Sequence, residues 1–129
     1  MILVDSSVWI SFFNGEENKQ TDTLNNTLGQ RHIAISDLIL TEVLQGFRAD
    51  KDYKAAKSLF EDLTVFDLVG KDIAIRSAEN YRALRKKGIT IRKPVDVIIA
   101  TFCIERKLPL LSLDRDFKPF VKSLGLIEA

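Results

Sequence analysis

A single cysteine, Cys103, leaves no partner for an internal disulfide and no thiolate set for a zinc cage, which fits a reducing cytoplasm. The thiol sits within an apolar run and reads as a small core residue. No uninterrupted apolar stretch approaches the ~20 residues of a membrane span. No basic segment precedes the N-terminal apolar run, as one would in a signal peptide. Net charge is only +1, so bulk charge announces no nucleic-acid partner. A glycine-rich phosphate loop and a Ser-His-Asp set are both missing. The sole histidine, His32, stands in a loop before a strand and reads as a surface residue. Repeats, low-complexity tracts and linkers are absent too, so a chain of 129 residues reads as one domain spanning 1–129.

What is present begins with Met1-Ile2-Leu3-Val4-Asp5-Ser6-Ser7. Apolar residues in succession, stopped by polar ones, predict a short strand buried on both faces with Asp5 at its carboxyl end. In open α/β sheets ligands bind beyond that end, so a carboxylate there is placed for chemistry. Asp is equally common at strand-to-helix turns, and Asp5 alone reads as well as a cap. Ser6 or Ser7 is expected to cap a helix over Val8–Phe13.

Further along, Glu17–Leu28 reads as a helix ended by Gly29, and Ile33–Ile35 as a second strand. Leu40, Val43, Leu44 and Phe47 form one helical face that carries Glu42 at its edge, where Glu is also an ordinary helix former. Asp50–Phe60 reads as a helix with Tyr53, Ala56, Leu59 and Phe60 on an apolar face, followed by a strand at Thr64–Phe66. Lys71–Lys87 reads as a long helix with Ile75, Ala78 and Tyr81 on one face, closed by Gly88. Pro94 opens a helix that is apolar almost all round except for Asp96. An acid in a first turn complements the helix N-terminus, but on so apolar a helix it suffers desolvation without a partner. Pro109–Leu113 is a strand ending in Asp114, Phe117–Leu124 a short helix, and Gly125–Ile127 a last edge strand. Strands alternating with helices predict a mostly parallel sheet of four to five strands between helix layers, an α/β/α sandwich.

In such a sheet Asp5 and Asp114 after strands, and Glu42 and Asp96 in helices after loops, can converge at one edge. Oxygen-only ligands suit hard cations, Mg²⁺ or Mn²⁺. Such ions polarise phosphoryl oxygens and activate water, so phosphodiester hydrolysis is the natural reaction class. Charge is also unevenly spread: residues 82–93 hold six bases and no acid. Arg85, Lys86, Lys87, Arg92 and Lys93 lead into the Asp96 helix, either as a solvated helix end or as a phosphate-binding segment. Arg115, between two acids, offers the same contact.

The segments ILVDSSVWI (Ile2–Ile10), TEVLQG (Thr41–Gly46), PVDVIIA (Pro94–Ala100) and LSLDRDF (Leu111–Phe117) together resemble PIN-domain ribonucleases, and more narrowly the VapC toxins of toxin–antitoxin pairs. That resemblance implies a metal site of Asp5, Glu42, Asp96 and Asp114, with Asp116 as a further acid and Ser6 and Ser112 as supporting hydroxyls. It further implies Mg²⁺ or Mn²⁺ as cofactor, an RNA substrate, a cognate antitoxin and a homodimer, for which the Tyr53, Ala56, Leu59, Phe60 face is the expected contact. Ser112 stands where the family often has Thr, and Asp37 where it often has Pro. Two other readings of the acids are a phosphatase with Asp5 as nucleophile and a non-catalytic receiver-like module. The first expects an acid where Ser7 stands, the second a lysine where the late strand ends in Asp114.

Overall fold

The computed structural model describes residues 1–30 and 32–129. Ile2–Val4 form β1, and all three residues are buried. Consecutive apolar residues need cover on both faces, the condition of a parallel strand between helix layers. β1 accordingly lies inside the sheet, between β2 (Ile33–Ser36) and β4 (Leu110–Leu111), with β3 (Thr64–Phe66) outside β2. Every pairing is parallel, with Leu3 opposite Ala34 on one side and Leu110 on the other. Among the described residues the expected four to five strands are thus four.

α1 (Ser6–Phe13), α2 (Lys19–Thr27), α3 (Asp37–Leu44) and α4 (Asp50–Glu61) pack as one group. α5 (Gly70–Lys86), α6 (Pro94–Arg106) and α7 (Lys118–Leu124) form another, the last preceded by a 3₁₀ turn at Arg115–Phe117. No helix among the described residues is long and apolar enough to cross a membrane. The core runs through the sheet into Trp9, Leu24, Ile39, Phe60, Phe102 and Phe120. His32 is exposed and Cys103 buried, as expected, and burial pushes the Cys103 thiol up to about 12.

Several local expectations are corrected. α2 starts at Lys19 rather than Glu17, because Asn18 Oδ1 accepts the Thr21 amide at 2.8 Å while Thr21 Oγ1 accepts the Asn18 amide at 3.0 Å. This reciprocal box fixes the helix start. On α5 it is Ser77 and Leu84 that are buried, with Ile73 packed beside the core, while Ile75 is 50% exposed. The stripe Ile75, Ala78, Tyr81 has helical spacing, but no element of the described chain covers Ile75. The Gly125–Ile127 strand reduces to one parallel bridge, Leu110 with Glu128. β4 is too short to carry a second ladder beside the one to β1, since Ser112 and Leu113 leave it to bond across to Asp5 and Ser7.

The proposed dimer face is corrected as well. Ala56 and Phe60 are 1% and 2% exposed, and the Phe60 ring meets Trp9 edge-on at 4.9 Å. Residues four apart on α4 share its inward side, so this pair belongs to the core and only Tyr53 and part of Leu59 reach the surface.

Candidate active site

Asp5 is held from both directions. Its backbone N–H donates to the Leu111 carbonyl at 2.9 Å, closing the β1–β4 ladder, and its Oδ2 accepts the Ser7 amide at 3.3 Å as the N-cap of α1. Ser7 Oγ donates to the same oxygen at 2.7 Å and Ser112 Oγ donates at 3.1 Å. Each hydroxyl also accepts a backbone amide, Leu113 into Ser7 at 3.0 Å and Asp114 into Ser112 at 2.9 Å. One small network therefore ties the end of β1 to the turn that carries Asp114 and Asp116.

The expected supporting residue Ser6 is corrected here to Ser7. With Asp5 itself as the cap, the second helical residue receives its side chain. Ser6, one position earlier, makes no side-chain hydrogen bond among the described residues. Ser7→Ala is expected to cost about 1–3 kcal/mol, because a buried carboxylate loses a donor, whereas Ser6→Ala stays within about 0.5 kcal/mol. Urea unfolding of both variants checks this, and equal effects would restore Ser6 to the role.

Glu42 is carried by α3. Ser36 Oγ caps that helix by accepting the Ile39 amide at 3.2 Å, and Asp37 Oδ1 accepts the Leu38 amide at 2.8 Å and the Leu68 amide at 3.3 Å. Asp37 thus fixes the helix entry by hydrogen bonds, where a proline would have done so by restricting φ. Glu42 is half-buried; burial, and then the Asp5 charge, raise its carboxyl above the usual range. Asp96 lies in the first turn of α6, 6% exposed.

Asp96, Asp114 and Asp116 form the tightest group, with one carboxylate oxygen from each mutually within 4.8 Å. Like charges at that distance repel by about 3 kcal/mol per pair at an effective dielectric near 20. Desolvation, the largest effect, pushes Asp96 up to about 7; the Lys93 ammonium, next in size, lowers it, and the charges of Asp114, Asp5 and Asp116 raise it. Burial likewise raises Asp5, partly offset by the two serines. The sequence-predicted acids are therefore brought within electrostatic reach of one another, although Asp5 and Glu42 lie outside the tight trio. Asp116, expected only as a further acid, is inside it.

The basic residues divide. Lys93 Nζ lies 3.5 Å from Asp114 Oδ2 and 4.0 Å from Asp96 Oδ2, and Arg92 reaches Asp116 Oδ2 at 3.7 Å. The two nearest acids raise the Lys93 ammonium above its ordinary range. Arg85, Lys86 and Lys87 sit exposed at the end of α5, with the Arg85 guanidinium 5.5 Å from the Tyr81 ring centre. Beside Asp114 opens a cavity of about 220 Å³ lined in part by Lys19, Arg115 and Lys118. Lys19 and Lys118 were not legible as site neighbours, since nothing near them in sequence carries the chemistry.

The donor set fits a hard divalent ion. All its atoms are carboxylate oxygens, and two of them, Glu42 Oε1 and Asp96 Oδ2, are buried without any hydrogen-bond partner among the described residues. Buried carboxylate oxygens left unpaired are costly, and a cation among them removes the cost.

The family model for the PIN domain matches residues 2–121. Ribonuclease VapC11 of Mycobacterium tuberculosis is 29% identical over 129 residues, covering 98% of this chain and 96% of the relative. Ribonuclease VapC1 of Methanocaldococcus jannaschii is 27% identical over 125 residues, covering 97% and 84%. Among solved structures, VapBC2 from Rickettsia felis bound to a promoter DNA fragment aligns with a TM-score of 0.77 at 21% identity, covering 100% of this chain and 98% of that one. That last likeness is one of fold.

Proposed function

Because the chain belongs to the PIN domain family, we propose that it is an endoribonuclease that hydrolyses RNA phosphodiester bonds with Mg²⁺ or Mn²⁺, as the toxin of a VapBC-type toxin–antitoxin pair. One observation carries the reading: the unpartnered buried oxygens of Glu42 and Asp96 in a site built of carboxylates. The relatives named as VapC ribonucleases support it. A single domain over 1–129, a cytoplasmic location, a cognate antitoxin and a homodimer belong to the same proposal.

Asp96, Asp114 and Asp116 would hold the ion, together with Asp5 and Glu42 beside them. When bound, such an ion polarises a phosphoryl oxygen and makes a water more acidic. The chain's own residues do the rest. Ser7 and Ser112 keep Asp5 in one orientation through their hydroxyl donors. Glu42, with one free oxygen and a carboxyl raised by burial, takes the proton from the attacking water. Arg92, Lys93 and Arg115 neutralise the phosphates that flank the cut, and Arg85, Lys86 and Lys87 extend that contact along the strand.

Purified protein with Mn²⁺ is expected to cleave RNA and to stop when chelator is added. Hydrolysis of a small phosphate ester with RNA left intact would favour the phosphatase reading instead. Changing Arg85, Lys86 and Lys87 together to Ala is expected to weaken RNA binding and to flatten its salt dependence by about 2 in the log–log slope. An unchanged slope measured by titration at several salt concentrations returns this segment to a solvated helix end.

A further inference from the structure

We propose that Lys93 is a built-in counter-ion of the acid site: its ammonium occupies a cation's place between Asp96 and Asp114 when no divalent ion is bound, and is displaced when one enters. The proposal rests on the metal-site reading above and adds a competitor to it.

Three ion pairs carry the argument. Lys93 Nζ stands 3.5 Å from Asp114 Oδ2 and 4.0 Å from Asp96 Oδ2, while Arg92 Nη2 stands 3.7 Å from Asp116 Oδ2. Two consecutive bases therefore face all three members of the tight acid trio. Their approach is set by the backbone. The residue before a proline is restricted to extended conformations, and Lys93, preceding Pro94, has φ −112° and ψ 116° as the N-cap of α6. Its carbonyl accepts the Asp96 amide at 3.1 Å, so the backbones of the base and of the acid are bonded together.

The pairing is close enough to neutralise and loose enough to break. The oxygen of Asp96 that faces the ammonium is buried and has no hydrogen-bond partner among the described residues, since 4.0 Å is beyond hydrogen-bond range. The Lys93 side chain is 59% exposed, so its four-carbon stem can swing into solvent without opening the core. A divalent ion brings twice the charge to the same oxygens, and two cations cannot share them. Because its backbone stays tied to α6, the displaced ammonium remains at the rim, where a phosphate is the available anion. Ion loading then frees the lysine for RNA, and the order is ion first, strand second.

Mn²⁺ binding measured calorimetrically on the full chain, with wild type, Lys93→Met and Lys93→Arg, tests this. Exposed ion pairs of this kind shift equilibria by up to about fivefold. Lys93→Met is expected to bind Mn²⁺ roughly three- to fivefold tighter and to melt lower in chelator, since it leaves the acid trio without its nearest charge. Lys93→Arg, which keeps the charge, stays near wild type in both. Equal Mn²⁺ affinity in wild type and Lys93→Met would make the lysine a spectator and overturn the proposal, and weaker binding by Lys93→Met would overturn it in favour of a lysine that organises the ligands. Failure of the wild type itself to bind Mn²⁺ would overturn the metal-site reading first, and the proposal with it.

Discussion

Asp96→Asn is expected to abolish RNA cleavage while raising the melting temperature of the chelated protein at neutral pH. The change removes one repelling charge from a trio whose oxygens lie within 4.8 Å of one another, and it removes the desolvation of a carboxylate that is 6% exposed. It also removes a proposed ligand, so the stabilisation by Mn²⁺, which follows ion affinity by linkage, shrinks. The pH dependence has a definite sign. Asp96 titrates near 7 in the folded chain against an ordinary value of 3.8. Between those values the folded state binds more protons than the unfolded one, so stability is lost as pH rises. The loss is complete above about pH 7 and amounts to on the order of 4 kcal/mol, at ~1.4 kcal/mol for each pH unit between the two values. Asp96→Asn flattens that slope. Thermal melts of both proteins from pH 4 to 8, with chelator and with Mn²⁺, measure all of these effects. If Asp96 served only the helix terminus, the variant would be slightly less stable and would still cleave; cleavage at the parent's rate would falsify the site assignment.

Phe60→Ala is expected to destabilise the fold by about 3–5 kcal/mol, the range for removing a buried aromatic ring. The ring is 2% exposed and makes edge-on contacts to Trp9 at 4.9 Å and to Phe13 at 6.0 Å. Such contacts add to the area term, and the cavity left between α1 and α4 is walled by aromatic rings that cannot collapse into it. Tyr53→Ala on the same helix removes a side chain that is 37% exposed and is expected to change stability by no more than about 0.5 kcal/mol. Urea unfolding separates the two. Sedimentation then discriminates between core and interface: under conditions where Phe60→Ala remains folded it is expected to associate like wild type. A folded Phe60→Ala that has lost only its self-association, with stability unchanged, would restore the original reading of that face.

The reading of α4 illustrates where local sequence stops informing. Tyr53, Ala56, Leu59 and Phe60 have the spacing of an apolar helical side, and periodicity reveals such a side without revealing what covers it. Ile75 on α5 is the converse case, a residue on an apolar stripe that the fold leaves at the surface. By contrast β1 was legible because its constraint is local: Ile2, Leu3 and Val4 in succession exclude a half-exposed strand, and Asp5 ends the run. Asp96 was legible for the same reason, as the one charge in residues 94–104 of α6, before Glu105 and Arg106 at its end.

The sequence by itself thus determined the class of fold, the end of β1 and the acids that follow the strands, since these follow from hydrophobic pattern and from residues next to each other in the chain. Only the tertiary structure decided that Ser7 rather than Ser6 holds Asp5, that Asp116 joins Asp96 and Asp114, and that Lys93 lies among them. The reason is the sequence distance of the bonds concerned. Ser112 and Asp5 are 107 positions apart, and Leu113 and Ser7 are 106 apart. Such partners meet because parallel strands bring β1 and β4 side by side, and no pattern within either segment encodes which hydroxyl or which base will be facing the carboxylate when they do.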